Sequence, residues 1–138
     1  VNPREEEIMG LKVYPQVGDI PEVPDLAIIV IPPASAVSVM RECVAKGIKA
    51  ALMITAGFAE VDAEGKSHQQ DLTRIACEGG MLLVGPNCNG MLNPSSKLFP
   101  WMPALYPSPG PLSVVAQSGN VGTSLVRRAD IVTVRLAI

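Results

Sequence analysis

Cysteine, histidine and aromatic side chains are all scarce: three Cys, one His, one Trp, two Tyr and two Phe among 138 residues. Three cysteines at unrelated spacings make neither a disulfide framework nor a C-x-x-C metal pair, and they suit a reducing cytosol. The single histidine, His68, sits between Ser67 and Gln69 in a polar helical stretch. It reads as an exposed surface residue, and no triad or zinc site can be built around it. Basic charge is also short, since eleven Lys+Arg against thirteen Asp+Glu leave a net −2 and a pI near 5.3. A footprint for a nucleic-acid backbone is therefore missing. No apolar run reaches the roughly 18 residues of a membrane span, and the longest, Leu26–Ile31, is strand-sized. A basic-then-apolar leader pattern is missing too. What is present is 48% apolar and only 17% charged residues, too apolar for a disordered chain and sufficient for one packed domain or slightly more. The expectation is a soluble, globular, cytoplasmic chain with no nucleic-acid and no membrane partner. It opens Val1-Asn2-Pro3 with no Met ahead, and it reads as a piece of something longer.

Apolar runs alternate with helical patterns at short intervals. Leu26–Ile31 ends at Pro32-Pro33 and reads as a strand buried on both faces. Ala34–Lys46 places Val37, Met40, Val44 and Ala45 at helical spacing, with Gly47 as a stop. Ala50–Ile54 is the next strand, followed by Thr55-Ala56-Gly57, a polar loop from Glu60 to Lys66, and a helix over Ser67–Glu78. Met81–Val84 is a third strand, ending in Gly85-Pro86-Asn87-Cys88-Asn89-Gly90. Short strand–helix–strand connections predict a parallel sheet with helices on its faces. The residues before Pro24 are turn-rich, with one brief strand at Lys12-Val13-Tyr14. Six prolines between Asn93 and Pro111 predict an extended linker. A strand at Leu112–Ala116, a turn at Gln117–Asn120, a helix over Val121–Ala129 and a strand at Ile131–Leu136 follow. The natural cut is near residue 108, giving 1–108 and 109–138 as the two parts.

In an open parallel sheet, ligands bind beyond the carboxyl ends of the strands. Each strand here ends in small, Gly- or Pro-containing sequence, which either serves simply as a turn or lets a ligand approach the backbone. Helix N-termini after such turns favour phosphate or carboxylate. Several signatures fail. Gly90 is followed by Met91-Leu92, not the Lys and Ser/Thr of a P-loop. Ser118 is flanked by Ala116 and Asn120, not the glycines of a nucleophile elbow. Cys88 reads as a nucleophile near a helix N-terminus or as a small buried turn residue; Cys43 and Cys77 read as packing residues on helices. Glu60 and Asp62 read as a carboxylate pair or as an exposed loop. Phe99, Trp101 and Tyr106 either cover the ligand edge or pin the linker to a core. No metal site and no catalytic residue is assigned.

Taken together, Val1-Asn2-Pro3, Val13-Tyr14-Pro15, Asp25–Pro32, Ile54-Thr55-Ala56-Gly57-Phe58-Ala59-Glu60, Gly85-Pro86-Asn87-Cys88-Asn89-Gly90 and Gln117-Ser118-Gly119-Asn120 resemble the NDP-forming acyl-CoA synthetases. The resemblance runs from Val1 to about Ala129. It implies an α/β fold: a Rossmann-like CoA-binding domain lacking its first β-α unit, then the start of a flavodoxin-like ligase domain. It also implies coenzyme A or acyl-CoA as the ligand. Asn2, Pro3 and Arg4 would then lie near the CoA nucleotide, Ile31, Pro32, Ile54, Thr55, Ala56 and Gly57 along the CoA groove, and Pro86, Asn87 and Cys88 near the thiol end. Ser118, Gly119 and Asn120 would hold a phosphate.

Enzymes of this family interconvert acid, CoA and NTP with acyl-CoA, NDP and phosphate through an acyl phosphate and a phosphohistidine. The resemblance places the Gly-rich CoA loop before Val1 and the phosphohistidine beyond Ile138, so this chain alone is expected to be catalytically incomplete. An ATP-grasp subunit or domain and a homo-oligomer are the partners it implies. Arg4 stands near a position where the family commonly has Lys, and Ala116 where it usually has Ser. Two other readings remain open at this point: a non-catalytic CoA-binding regulatory module, as in synthetase-like parts of protein acyltransferases, and a dinucleotide-binding Rossmann protein, for which no G-x-G-x-x-G is present. A partial fold of this kind is further expected to leave a strand edge around Leu26–Ile31 bare, favouring self-association.

Overall fold

A computed structural model of the chain describes residues 1–131, which fall into two compact units divided between Asn87 and Cys88. The strand expected at Ile131–Leu136 lies outside the described residues, apart from Ile131, which is the last residue of a helix.

The first unit opens with a short hairpin. Strands β1 (Glu7–Ile8) and β2 (Leu11–Lys12) pair antiparallel, with Ile8 opposite Leu11. Met9 and Gly10, both at positive φ (54° and 78°), make the two-residue turn whose twist suits a hairpin. The brief strand thus falls at Leu11–Lys12 rather than Lys12–Tyr14. A 3-10 turn over Val17–Asp19 follows, held at its start by the Gln16 N–H donating to Asp19 Oδ2 at 3.2 Å. The Lys46 ammonium ties this turn to the next helix by donating to the carbonyls of Gly18, at 3.1 Å, and Ile20.

Three parallel strands form the sheet in the order β3 (Leu26–Ile29), β4 (Ala50–Met53), β5 (Leu82–Val84). Leu26 pairs with Ala50 and Ala50 with Leu82, so the strands start level. Parallel neighbours need a long crossover, and helices α1 (Pro33–Lys46) and α2 (Ala63–Glu78) supply the two here. A proline in its first turn suits the start of α1, and left-handed Gly47 closes it, its N–H reaching Cys43 and Val44 carbonyls. Helix α2 begins at Ala63, earlier than the expected Ser67. Asp62 is its N-cap, with Oδ1 accepting from the Gly65 N–H at 2.7 Å, so residues assigned to a polar loop are helical.

Side chains alternate across the sheet. Ile29, Ala51 and Met53 join Ala36, Met40 and Cys43 of α1, and Leu72, Ile75 and Ala76 of α2, in one buried core that also takes in Val17, Ile48, Phe58 and Met81. On the opposite face Ile28, Leu82 and Val84 are exposed. Among the described residues β3 pairs with β4 alone, so its outer edge carries no second strand.

In the second unit the Pro-rich stretch is folded rather than a plain linker. Isolated antiparallel bridges join Gly90 to Trp101 and Asn93 to Leu98 around a 3-10 turn at Pro94–Ser96. Asn93 Oδ1 accepts from the Ser96 N–H at 3.3 Å, closing that turn. Strand β6 (Pro109–Leu112) starts earlier than the expected Leu112, and helix α3 spans Gly119–Ile131. Leu92, Val126 and Ala129 form a small core with Phe99, Trp101, Leu105 and Val114 against it. Because the residues after Cys88 pack with α3, the division between compact units falls well before residue 108.

Replacing Asp62 by Ala removes the only side-chain partner of the Gly65 N–H described here. It is expected to cost about 1 kcal/mol of unfolding free energy, measured by urea denaturation, whereas Asp62→Asn keeps an acceptor and most of the stability.

Candidate functional site

The carboxyl ends of β3, β4 and β5 converge on one residue. The backbone ladder between β3 and β4 runs to the Ile54 N–H, which donates to the Ile29 carbonyl at 3.1 Å. Beyond it a side chain takes over. Thr55 Oγ1 accepts from the Ile31 N–H at 3.1 Å and donates to the Ile31 carbonyl at 2.9 Å. The Thr55 carbonyl in turn accepts from the Asn87 N–H at 2.9 Å, beyond the end of β5. Ile31, Thr55 and Asn87, each an expected site residue, are therefore joined directly. Thr55 is only 8% exposed; Ile54 and Gly57 are half-buried and Ala56 is exposed.

The turn after Thr55 is built tightly. Gly57 has φ 104°, and a Cβ there would lie 2.8 Å from Cγ of Pro33, so neither the backbone angle nor the space admits a larger residue. Its N–H donates to Glu60 Oε1 at 2.7 Å. That bond is the largest influence holding the Glu60 carboxyl below the ordinary glutamate range, helped by the backbone N–H groups of Glu60 and Phe58 and opposed by slight desolvation. With Asp62 occupied as a helix cap, Glu60 and Asp62 are two separate backbone clamps rather than an acid–base pair. On the β5 side, Asn87 lies at φ 54° and is exposed, while Pro86 is half-buried.

A groove of about 560 Å³ runs along the outer edge of β3, lined by Pro3, Ile31 and Pro32 together with Ser35, Glu42 and Cys43 of α1. It brings three expected site residues together and leaves Ile54–Gly57 and Pro86–Asn87 outside its lining. Near it, Asn2 is fixed by its N–H to the Tyr14 carbonyl (3.0 Å) and by Oδ1 accepting from the Arg4 N–H (2.9 Å), with Arg4 exposed. Glu42 and Cys43 are groove residues that the sequence reading did not select. Ser35, Val39 and Glu42 stand at i, i+4 and i+7 of α1, the spacing of one helix face, and that periodicity was the available signal. Burial pushes the Cys43 thiol up, and the neighbouring Glu42 charge adds to the shift. The thiol is therefore protonated at neutral pH and poorly nucleophilic. Among the described residues no group of His, Cys, Asp and Glu could hold a metal ion. His68 is half-buried on α2 rather than fully exposed, and Cys77 is exposed rather than packed.

The remaining expected residues lie in the second unit. Cys88 is half-buried. Gly119 and Asn120 open α3, and Ser118 Oγ accepts from the Val121 N–H at 3.4 Å, as a cap does. Asn89 Nδ2 donates to the Gly119 carbonyl at 3.3 Å and to Thr123 Oγ1 at 3.1 Å, anchoring the first turn of the helix.

Comparison with known proteins agrees with the resemblance read from the sequence. The profile of a family described as CoA binding domain matches residues 1–94. An ADP-forming acetate–CoA ligase II subunit alpha of Pyrococcus furiosus is 40% identical over 126 residues, 91% of this chain and 27% of that protein. An ADP-forming 4-hydroxybutyrate–CoA ligase of Nitrosopumilus maritimus is 39% identical over 132 residues, 94% of this chain and 19% of that protein. Among solved structures, a dinucleotide forming acetyl-coenzyme A synthetase 1 of Ca. Korarchaeum cryptofilum, in complex with phosphate and ADP, superposes with a TM-score of 0.89 at 33% identity, covering 99% of this chain and 29% of that one. A crystal structure from Pyrococcus horikoshii OT3 gives 0.92 at 36% identity, over 99% and 31%. The chain thus spans between a fifth and a third of the length of these relatives.

The Glu60 clamp has a pH signature. Its carboxyl is lowered in the folded state, so its stabilising contribution is present above the ordinary glutamate pKa of about 4.3 and lost as pH falls through the lower folded value. The Gly57 amide resonance is expected to titrate with a midpoint below that ordinary value, and Glu60→Gln to lose the titration. A midpoint at or above it contradicts the clamp.

Proposed function

The chain belongs to the CoA-binding-domain family, and from that premise we propose that it is the CoA-binding portion of an NDP-forming acyl-CoA synthetase. The family match over residues 1–94 carries the reading, and the junction of Ile31, Thr55 and Asn87 at the sheet's carboxyl edge supports it, because ligands of open parallel sheets bind at that edge. The whole protein would convert an acid, CoA and NTP into acyl-CoA, NDP and phosphate through an acyl phosphate and a phosphohistidine. This chain contributes ligand binding and completes no turnover by itself. An ATP-grasp subunit or domain supplies the nucleotide, and the assembly is a cytoplasmic homo-oligomer.

The residues fit CoA in a graded way. CoA joins a phosphorylated, strongly anionic nucleotide to a long uncharged arm. The groove beside β3, with Pro3, Ile31 and Pro32 in its wall, suits the uncharged part. At the turns Ile54–Gly57 and Pro86–Asn87, exposed Ala56 and Asn87 and the missing side chain of Gly57 leave the strand ends open to close approach, and Cys88 follows toward the thiol end. Among the candidate contacts only Arg4 carries a positive charge, so within this chain Arg4, with Asn2 beside it, is the contact for the nucleotide phosphates. Ser118, Gly119 and Asn120 hold phosphate at the start of α3, where the positive end of the helix dipole favours an anion.

Calorimetric titration of the chain with CoA at low ionic strength is expected to show saturable binding. Arg4→Ala should weaken it roughly fivefold, about 1 kcal/mol, with the difference shrinking as salt is raised. Absence of saturable binding, or an Arg4→Ala affinity equal to wild type at every salt concentration, overturns this reading.

A further inference from the structure

We propose that Thr55 is a positioning residue for the CoA ligand: its hydroxyl fixes the Ile31–Pro32 turn and its carbonyl fixes Asn87, and the side chain makes no contact with the ligand itself. This rests on the reading of the strand ends as a CoA edge. A threonine hydroxyl has one proton and two lone pairs. Here the proton is directed to the Ile31 carbonyl at 2.9 Å, with the Ile29 carbonyl a more distant 3.4 Å away, and one lone pair receives the Ile31 N–H at 3.1 Å. Thr55 is also the only buried polar residue among the described residues. A group so enclosed and so committed has no donor left for a ligand.

Its geometry also explains why a hydroxyl is needed. In a parallel ladder the next rung after Ile54 N–H to Ile29 O would be backbone to backbone. Here β3 must leave the sheet to enter α1 through Pro32-Pro33, which supply no N–H. The Thr55 side chain replaces the rung with a two-way contact to both polar groups of Ile31, while the peptide of the same residue holds the β5 side through Asn87. Three loops are therefore registered to one residue. A long, thin ligand lying across all three would be sensitive to that register, and its loss would be felt at Pro32 and Asn87 without any atom of Thr55 touching it.

Two variants separate the possibilities. Thr55→Val keeps the shape and removes the hydroxyl; Thr55→Ser keeps the hydroxyl and removes a methyl group. In ligand-free protein, Thr55→Val is expected to speed hydrogen exchange of the Ile31 amide by at least tenfold, with Thr55→Ser within about threefold of wild type. At a temperature where all three are fully folded, Thr55→Val should raise the CoA dissociation constant about tenfold or more, and Thr55→Ser should restore it to within about twofold. A purely structural residue would lower the melting temperature and leave the CoA affinity of the folded protein unchanged, which overturns the proposal. Lost CoA affinity in Thr55→Val with Ile31 exchange unchanged assigns the hydroxyl to the ligand and overturns it as well. Should Thr55→Val fail to fold, loss of Ile31 protection or of affinity in Thr55→Ser is the contradicting result, and retention of both supports the proposal. Absence of CoA binding by wild type overturns the functional reading of the edge and, with it, the positioning role, whereas the ligand-free Ile31 exchange reports the clip independently.

Discussion

The parallel register of β3 against β4, carried one step past its backbone limit by the Thr55 hydroxyl, is the constraint on which the sheet's carboxyl edge depends. Strand β3 has a strand partner on one side only among the described residues, so within them its end is set by its contacts with β4 and the residues that follow β4. Below the clip, Ile29 and Met53 are paired and buried in the common core. Above it, the chain turns at once into α1. Without the Thr55 hydroxyl, the N–H and carbonyl of half-buried Ile31 would both lose this partner. The clip therefore both completes the hydrogen bonding of the strand end and fixes the direction in which Pro32 and Pro33 depart.

The core supplies the rigidity against which that edge is held. Phe58, just past the Thr55 turn, is fully buried with Met40, Leu72 and Met53. The turn is thus anchored on its far side by apolar burial, and Gly57, wedged against the ring of Pro33, links it back to the start of α1. Glu60 closes the same turn from solvent. On the opposite face Ile28, Leu82 and Val84 of the outer strands, and Val30 just past β3, are exposed, while Leu52 of the central strand, in register with Ile28 and Val84, is fully buried. Within the first unit, one side of the sheet is dressed by two helices and built for permanence, while the carboxyl edge is fixed by a few directional bonds.

Much of this was legible in the sequence, and the parts that were not have physical reasons. The order of three strands and two intervening helices followed from apolar runs alternating with helical patterns, the first of these closed by Gly47, because continuous apolar segments and helical spacing report burial directly. The early start of α2 was missed: Asp62 is one carboxylate in a polar stretch, and only the direction of its side chain toward the Gly65 N–H makes it a cap. The hairpin at Glu7–Lys12 was hidden because Met9, not a turn-forming residue by type, takes a positive φ. Proline content suggested a linker after Asn93, yet prolines stop helices and interior strands without preventing the Gly90–Trp101 and Asn93–Leu98 bridges. At the site, the resemblance to a known family implied Ile31, Thr55 and Asn87, but not the three hydrogen bonds that join them. Those bonds connect residues 24 to 32 positions apart, and no local pattern encodes them.

The account's central claim is that ligand binding and the three-strand junction share one edge. The most direct measurement is amide chemical-shift mapping of isotopically labelled chain as CoA is added. The account predicts that, in the first unit, the largest changes fall on Ile31, the Thr55–Gly57 turn and Asn87, with the solvent-facing residues of α2 unmoved. Saturable changes confined to α2, or to the exposed sheet face at Ile28 and Leu82, with the junction amides unperturbed, would contradict it.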